Sequence, residues 1–267
     1  MAVESFYETY KNYLERYVCE GGAEGVLLEA YSYLTGQLGE HQIQTSNILD
    51  VHTRALREIM GVRRDSDAIQ WIYIDRATEF LAQILVVIDT FLLQLKDRIE
   101  RDPLTGLYNR LALYPALNQM LKEAQERESP LVVAMLDLDN FKTVNDEYGH
   151  HAGDEVLRAA AGIIKKSLRG GDKVFRYGGE EFLVVLPNTD LNRAVIALER
   201  IRSQIAANLT IPGTESTITT SIGAAGYRGK GPASLNDLIM MADKALYQAK
   251  KKGKNVVVCE GEVPPKN

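Results

Sequence analysis

The chain has little cysteine: two residues in 267, Cys19 and Cys259, at opposite ends. That spacing supplies neither a metal-ligand cluster nor a redox pair. It suits a reducing compartment, so a cytoplasmic protein is expected. A basic excess is also missing. With a formal net charge of -5 at pH 7, a generic nucleic-acid surface is disfavoured and only a local basic pocket stays open. No stretch stays apolar long enough to predict a membrane span. The most apolar run, "FLAQILVVIDTFLLQL" from Phe80 to Leu95, carries Gln83 and Asp89 and falls short of the about 20 residues such a span needs. The opening "MAVESFYETYKNYLERY" lacks the basic start and apolar core of a signal peptide, so export is not expected.

Proline is absent before Pro103, and strand signals are few in the same region. Phe6, Tyr10, Tyr13, Leu14 and Tyr17 fall on one helical face, and Val51, Ala55, Leu56 and Ile59 do so later. Residues 1–100 therefore read as a helical bundle. In its last helix, about 76–100, Leu81, Ile84, Ile88, Phe91 and Leu95 step by 3, 4, 3 and 4, close to a heptad seam. A stripe packed within its own bundle and a dimeric coiled coil both fit that pattern. Asp102-Pro103 ends the helix, because proline disfavours helical geometry in the residue before it.

Beyond that point helices and strands alternate. "NRLALYPALNQMLKEAQER", "GDEVLRAAAGIIKKSLR", "LNRAVIALERIRSQIAAN" and "LNDLIMMADKALYQAKKKG" read as helices. "PLVVAMLDLD", "EEFLVVLP", "STITTSIGAAGY" and "NVVVCE" read as strands. The pattern predicts an α/β or α+β domain over residues 101–262, with 263–267 a disordered tail.

Two glycines and two glutamates interrupt the strand in "FRYGGEEFLVVLP", where glycine is entropically costly. A hairpin tip explains Gly178 and Gly179 but does not require Glu180 and Glu181. A second carboxylate pair, Asp137 and Asp139, ends the apolar strand "LVVAMLDLD". Residues two apart on a strand share a face, so these two are expected to point the same way and to need a cation. If the strands are neighbours, Asp137 and Glu180 meet with a backbone carbonyl between them, a set of oxygens suited to magnesium.

"DPLTGLYNR", "DLDNFKTVNDEYGHHAGDEVL", "RYGGEEF", "TTSIGAA" and "ADKALYQAKKKGKN", in this order along the chain, resemble the bacterial GGDEF-family diguanylate cyclases in their GGEEF form. The resemblance implies an α+β fold, with a central, mostly antiparallel sheet surrounded by helices. It also implies synthesis of cyclic di-GMP from two GTP with release of two pyrophosphates, each 3'-hydroxyl attacking the other nucleotide's α-phosphate across a homodimer. Asp137, Glu180 and the Leu138 carbonyl become ligands for two Mg2+ (or Mn2+) ions per active site, and Glu180 assists deprotonation of the attacking hydroxyl. Glu181 and Lys142 join Glu180 as the catalytic set. Gly178 and Gly179 let the backbone approach the nucleotide.

Asn145 and Asp154 match guanine-reading positions. A carboxylate can accept from guanine N1–H and its exocyclic amine, while Asp154 read alone is as well suited to capping a helix. Lys142, Lys250 and Lys254 match phosphate-contacting positions, although a lysine there in place of the family's usual arginine loses the planar fork at 254. Phe141 falls in the substrate-binding block, and the residue itself reads as a buried aromatic; His150 reads as locally hydrogen-bonded. Asp102 and Arg110 are expected to fix the junction with the incoming helix. Arg169 and Asp172 in "RGGD" match an inhibitory site for the product cyclic di-GMP, where a plain turn also fits.

"LGEHQIQTSNILDVHTRALREI" is similar to a segment in the N-terminal domain of RsbU-type stress-response serine phosphatases. That likeness implies a dimerising bundle that binds a protein activator. The rival to an active cyclase is a catalytically silent receptor for GTP or cyclic di-GMP, which the intact signature carboxylates and glycines disfavour.

Overall fold

The computed structural model describes residues 2–19, 23–39, 45–62, 67–229 and 234–262. The chain divides into two compact units, Met1–Ile99 and Glu100–Asn267.

The first unit consists, among the described residues, of α1 (Ala2–Cys19), α2 (Glu24–Gly39), α3 (Thr45–Val62) and α4 (Asp67–Glu100). Its core is unusually aromatic. Phe6, Tyr7, Tyr10, Leu14 and Tyr17 bury one face of α1 against Ile48, Val51 and Ala55 of α3 and Ala77, Phe80, Ile84 and Ile88 of α4. Tyr17 and Phe80 lie 5.2 Å apart between ring centroids, and such pairs add to plain area burial. Part of the heptad-like seam is thereby used inside the bundle: Ile84 and Ile88 are core residues, with Leu81 and Phe91 packed beside them. A different stripe is left outside. Leu85, Val86, Leu92, Leu93 and Ile99 are exposed. At 34 residues α4 also runs well beyond both the apolar run and the predicted 76–100 helix. By length and composition alone its Ile72–Glu100 stretch could cross a membrane, but its core face is occupied by the bundle. Residues 40–44 of the RsbU-like segment, and the 263–267 tail, lie outside the described residues.

The second unit contains α5 (Arg110–Glu126), β1 (Leu131–Leu138), α6 (Phe141–Lys166), β2 (Lys173–Arg176), β3 (Glu181–Pro187), α7 (Leu191–Asn208), β4 (Thr220–Tyr227), α8 (Leu235–Lys251) and β5 (Val257–Glu262). The strand order is β2-β3-β1-β4-β5. Three pairings are antiparallel and β4–β5 is parallel, so the α+β class expected from the sequence is what the chain adopts. β1 is central and buried along its whole length. Alternate side chains serve opposite layers, with Val132, Ala134 and Leu136 in one core and Leu131, Val133 and Met135 in the other, as the strand period of two requires.

Two features position the site. Small residues Ala242, Ala245 and Ala249 on the buried face of α8 let it lie so close to β4 that a Cβ on Gly223 would strike the backbone of Ala242, Ala245 and Leu246. α6 starts at Phe141, earlier than predicted, so Lys142 stands on a helix and not in a loop. Gly149, at φ +81°, breaks α6 into two segments, a conformation glycine adopts without strain. The short strand β2, only four residues, carried too weak a periodicity to be predicted.

Candidate active site

β1 delivers Asp137 to the end of the sheet, directly opposite Glu181 on β3. The Leu138 amide donates to the Glu180 carbonyl at 3.3 Å, so the signature carboxylates and the end of β1 form one edge. Asp137 is 6 % exposed. Burial raises its pKa above the usual value; the Lys250 ammonium, 2.7 Å from Oδ2, opposes that rise, and the negative charges of Glu180 and Glu181 add to it. A buried carboxylate without a cation is unfavourable, and here α8 provides one.

Asp139 does not share that environment, contrary to the expected pair. Its Oδ1 accepts from Ser221 Oγ and its Oδ2 from Thr219 Oγ1, both at 2.7 Å, and Oδ2 also accepts from the Asn255 amide at 3.1 Å. The reason is positional. Asp139 lies just past the strand, where the chain turns through Asn140 at φ +59°, so the period-two rule no longer governs it. Asp139 ties the end of β1 to β4 and to the loop after α8. Beside it, Lys254 Nζ donates to Asn140 Oδ1 at 2.5 Å. Among the described residues no three His, Cys, Asp or Glu side chains are grouped as a metal cluster.

The signature forms the tip of the β2–β3 hairpin. Arg176 governs it: Nη2 and Nε donate to the Gly179 carbonyl at 2.9 and 3.2 Å, and Nη1 donates to both oxygens of Asp102 at 3.0 and 3.1 Å. Asp102 also accepts from the Thr105 amide and hydroxyl. Arg110 lies over the Tyr177 ring, 4.8 Å from its centroid. A Cβ on Gly178 would meet the Glu181 carboxylate, the free end of a flexible side chain that would have to shift; at Gly179 the same position is open. Neither has positive φ.

Within α6 the break at Gly149 folds the two segments so that Asn145 lies against Gly153, where a Cβ would collide with the Asn145 amide. Asp154 follows at once, half-buried, and makes no hydrogen bond or ion pair among the described residues. Phe141 is a core residue. Lys142 and His150 are exposed, and His150 has no hydrogen-bond partner among the described residues, contrary to its expected local bond. Arg169 closes on its own loop: Nε pairs with Asp172 Oδ1 at 3.0 Å, and Nη2 donates to the Pro187 carbonyl and Thr189 Oγ1 at 2.6 Å. A cavity of about 300 Å³ beside it is lined by Arg101, Tyr108, Lys165 and Lys173.

Residues 99–256 match the family described as diguanylate cyclase, GGDEF domain. The chain belongs to the GGDEF-domain diguanylate cyclase family. The diguanylate cyclase DgcP of Pseudomonas aeruginosa is 43 % identical over 155 residues, covering 58 % of this chain and 23 % of the relative. The diguanylate cyclase DosC of Escherichia coli is 37 % identical over 193 residues, covering 67 % and 41 %. The chain thus spans less than half the length of these curated relatives. Among solved structures, diguanylate cyclase SiaD of P. aeruginosa, crystallised with its activator SiaC, aligns over 97 % of this chain and 100 % of its own. It is 30 % identical, with a TM-score of 0.62. The coiled coil and GGDEF domain of DgcB from Caulobacter crescentus, crystallised with c-di-GMP, aligns over 69 % and 97 %, at 31 % identity and a TM-score of 0.61.

Three residues of this GGDEF domain had no site role in the sequence reading, or a different one. Arg176 stands immediately before the signature, and a guanidinium at a hairpin base was the available hint. Gly153 sits beside Asp154, and Asp139 serves as a clamp. Divalent cations fit the domain by donor chemistry: Asp137, Glu180 and the Leu138 carbonyl supply only oxygen, and Asp137 already attracts a cation.

Proposed function

We propose that the protein is a diguanylate cyclase that condenses two GTP into cyclic di-GMP and two pyrophosphates, with Asp137 and Glu180 as its central carboxylates. The observation that carries this reading is the meeting of three elements. The end of β1, the signature hairpin and the lysine-bearing end of α8 converge on Asp137.

In this proposal Asp137, Glu180 and the Leu138 carbonyl hold Mg2+ or Mn2+, two per site. When bound, the ions neutralise phosphate charge and lower the pKa of the attacking 3'-hydroxyl. Glu180 accepts that proton, and Glu181, held over Gly178, keeps the edge negative. Lys142, Lys250 and Lys254 pair with phosphate oxygens. Asn145 and Asp154, which is unpaired among the described residues, read guanine, Asp154 accepting from N1–H and the exocyclic amine, so GTP is preferred to ATP. Phe141 supports them from the core. Arg169 and Asp172 form the product-inhibition site; binding there requires Arg169 to leave Pro187 and Thr189.

Each domain presents one nucleotide, so two copies must face each other. We assign the pairing surface to the exposed stripe of α4. Leu85, Leu92 and Ile99 recur every seven residues, the spacing that keeps a seam facing a partner helix. The four-helix unit is the proposed receiver of a protein activator, supported by the likeness to SiaD, which was crystallised with one. The test is incubation with GTP and Mg2+, separating nucleotides by chromatography. Cyclic di-GMP that is formed by wild type and lost in Glu180→Gln, with no matching cyclic dinucleotide when ATP replaces GTP, is the expected result. Cyclic di-GMP formed equally well by Glu180→Gln contradicts the assignment.

A further inference from the structure

The lysine on Asp137 has a consequence for how the site is loaded. Its Nζ lies 2.7 Å from Asp137 Oδ2, with the carboxylate almost wholly buried and the lysine side chain 39 % exposed. One cation therefore already occupies the carboxylate on which the proposed divalent ion depends. A divalent ion at the same carboxylate is repelled by that ammonium, and in a partly buried setting the repulsion is only weakly screened, so the ion binds less tightly until further anions join the site. The remaining negative charges at this edge, Glu180 and Glu181, raise the demand for a cation without supplying one.

The lysine is also able to leave without disturbing the fold. The loop that follows α8 is fixed independently of it: the Asn255 amide is held by Asp139, and Lys254 by Asn140. Arg202 Nη1 donates to Asn255 Oδ1 at 2.7 Å. The α8 backbone lies against β4 through Gly223. Release of Lys250 is thus a movement of four methylenes and an ammonium, not of a helix. The partner that would draw it away is an anion reaching the same edge, and a nucleoside triphosphate carries one.

We propose that Lys250 is an exchangeable counter-ion of Asp137, which holds the metal carboxylate closed to divalent cations until nucleotide phosphates take the lysine over. The inference rests on the reading of Asp137 as a metal ligand and adds a regulation of that site. Metal and nucleotide then load together, because each removes what opposes the other. A free protein in high Mg2+ stays largely unloaded.

The test is Mn2+ titration of the full chain, following the relaxation enhancement of water protons by protein-bound ion. Without nucleotide, Lys250→Met is expected to bind Mn2+ at least about tenfold more tightly than wild type, a difference of about 1.4 kcal/mol. Lys250→Arg, which keeps the charge, should stay near wild type, and thermal melts check that both fold. Equal or weaker binding by Lys250→Met overturns the exchange. A parallel titration with 3'-deoxy-GTP, which cannot cyclise, tests the underlying reading. Wild type should form a ternary complex that Asp137→Asn does not. If that complex forms as stated but Lys250→Met gains nothing, the counter-ion role alone fails; if Asp137→Asn forms it equally well, the metal assignment fails with it.

Discussion

Arg176 grips both carboxylate oxygens of Asp102 with one nitrogen while its other two nitrogens hold the Gly179 carbonyl. The first residues of the catalytic unit and the signature hairpin are thereby joined through one side chain. Both partners are mostly buried, so removal of one leaves the other poorly solvated. Arg176→Met is expected to destabilise the domain by about 1–3 kcal/mol and to lower turnover; denaturant melts and product assays check both. Burial raises the Asp102 pKa, but the Thr105 hydroxyl and amide and Arg176 lower it more, leaving it below the ordinary range. Its contribution is therefore present at neutral pH and is lost only as pH falls through that depressed value.

Gly153→Ala would place a methyl group against the Asn145 amide. Asn145 must move, and guanine recognition should weaken while the carboxylate edge is untouched. A rise of about tenfold in KM for GTP, the size of one lost hydrogen bond of about 1.4 kcal/mol, with a smaller change in kcat, is the expected result. An unchanged KM would remove Asn145 from substrate recognition.

His52 gives the helical unit a distinct acid sensitivity. It is buried with Nδ1 2.9 Å from the Tyr10 hydroxyl, and burial lowers its pKa to about 4. The unfolded chain binds a proton below about pH 6.5 that the folded chain refuses until about pH 4. Stability is therefore full above pH 6.5 and falls through that window, by about 3 kcal/mol. Unfolding at pH 7 and pH 4.5 should show a smaller loss in His52→Gln than in wild type; equal losses would place the acid sensitivity elsewhere.

Leu92→Asp and Ile99→Asp should separate a dimer into monomers in sedimentation, with helix content retained. Ile88 and Phe91, which the heptad pattern alone would select, are unsuitable because Ile88 is a core residue with Phe91 packed beside it. Unchanged association in the Leu92 and Ile99 variants would move the dimer surface away from this stripe. Recovery of the wild-type chain with lipid vesicles instead of as a dimer would assign the stripe to a membrane.

The fold of the second half was legible because its strands and helices carry strong, different periods, and β1 is apolar on both faces. The site was legible where residue type and chemistry agree, as in carboxylates and glycines interrupting an apolar strand. What could not be read depends on partners distant in sequence. Asp137 and Asp139 look equivalent until Asn140 turns the chain, after which one meets Lys250 and the other meets Ser221 and Asn255. The α4 seam was ambiguous for the same reason, since periodicity identifies an apolar face but not what covers it.

The most direct measurement is the rate of cyclic di-GMP formation per protein molecule, across a wide range of protein concentrations, at saturating GTP and Mg2+. The account predicts two pyrophosphates per cyclic di-GMP, a specific activity that rises with concentration until dimers dominate, and loss of product in Glu180→Gln. A specific activity independent of concentration in a chain that sediments as a monomer, or product formation that survives Glu180→Gln, would contradict it.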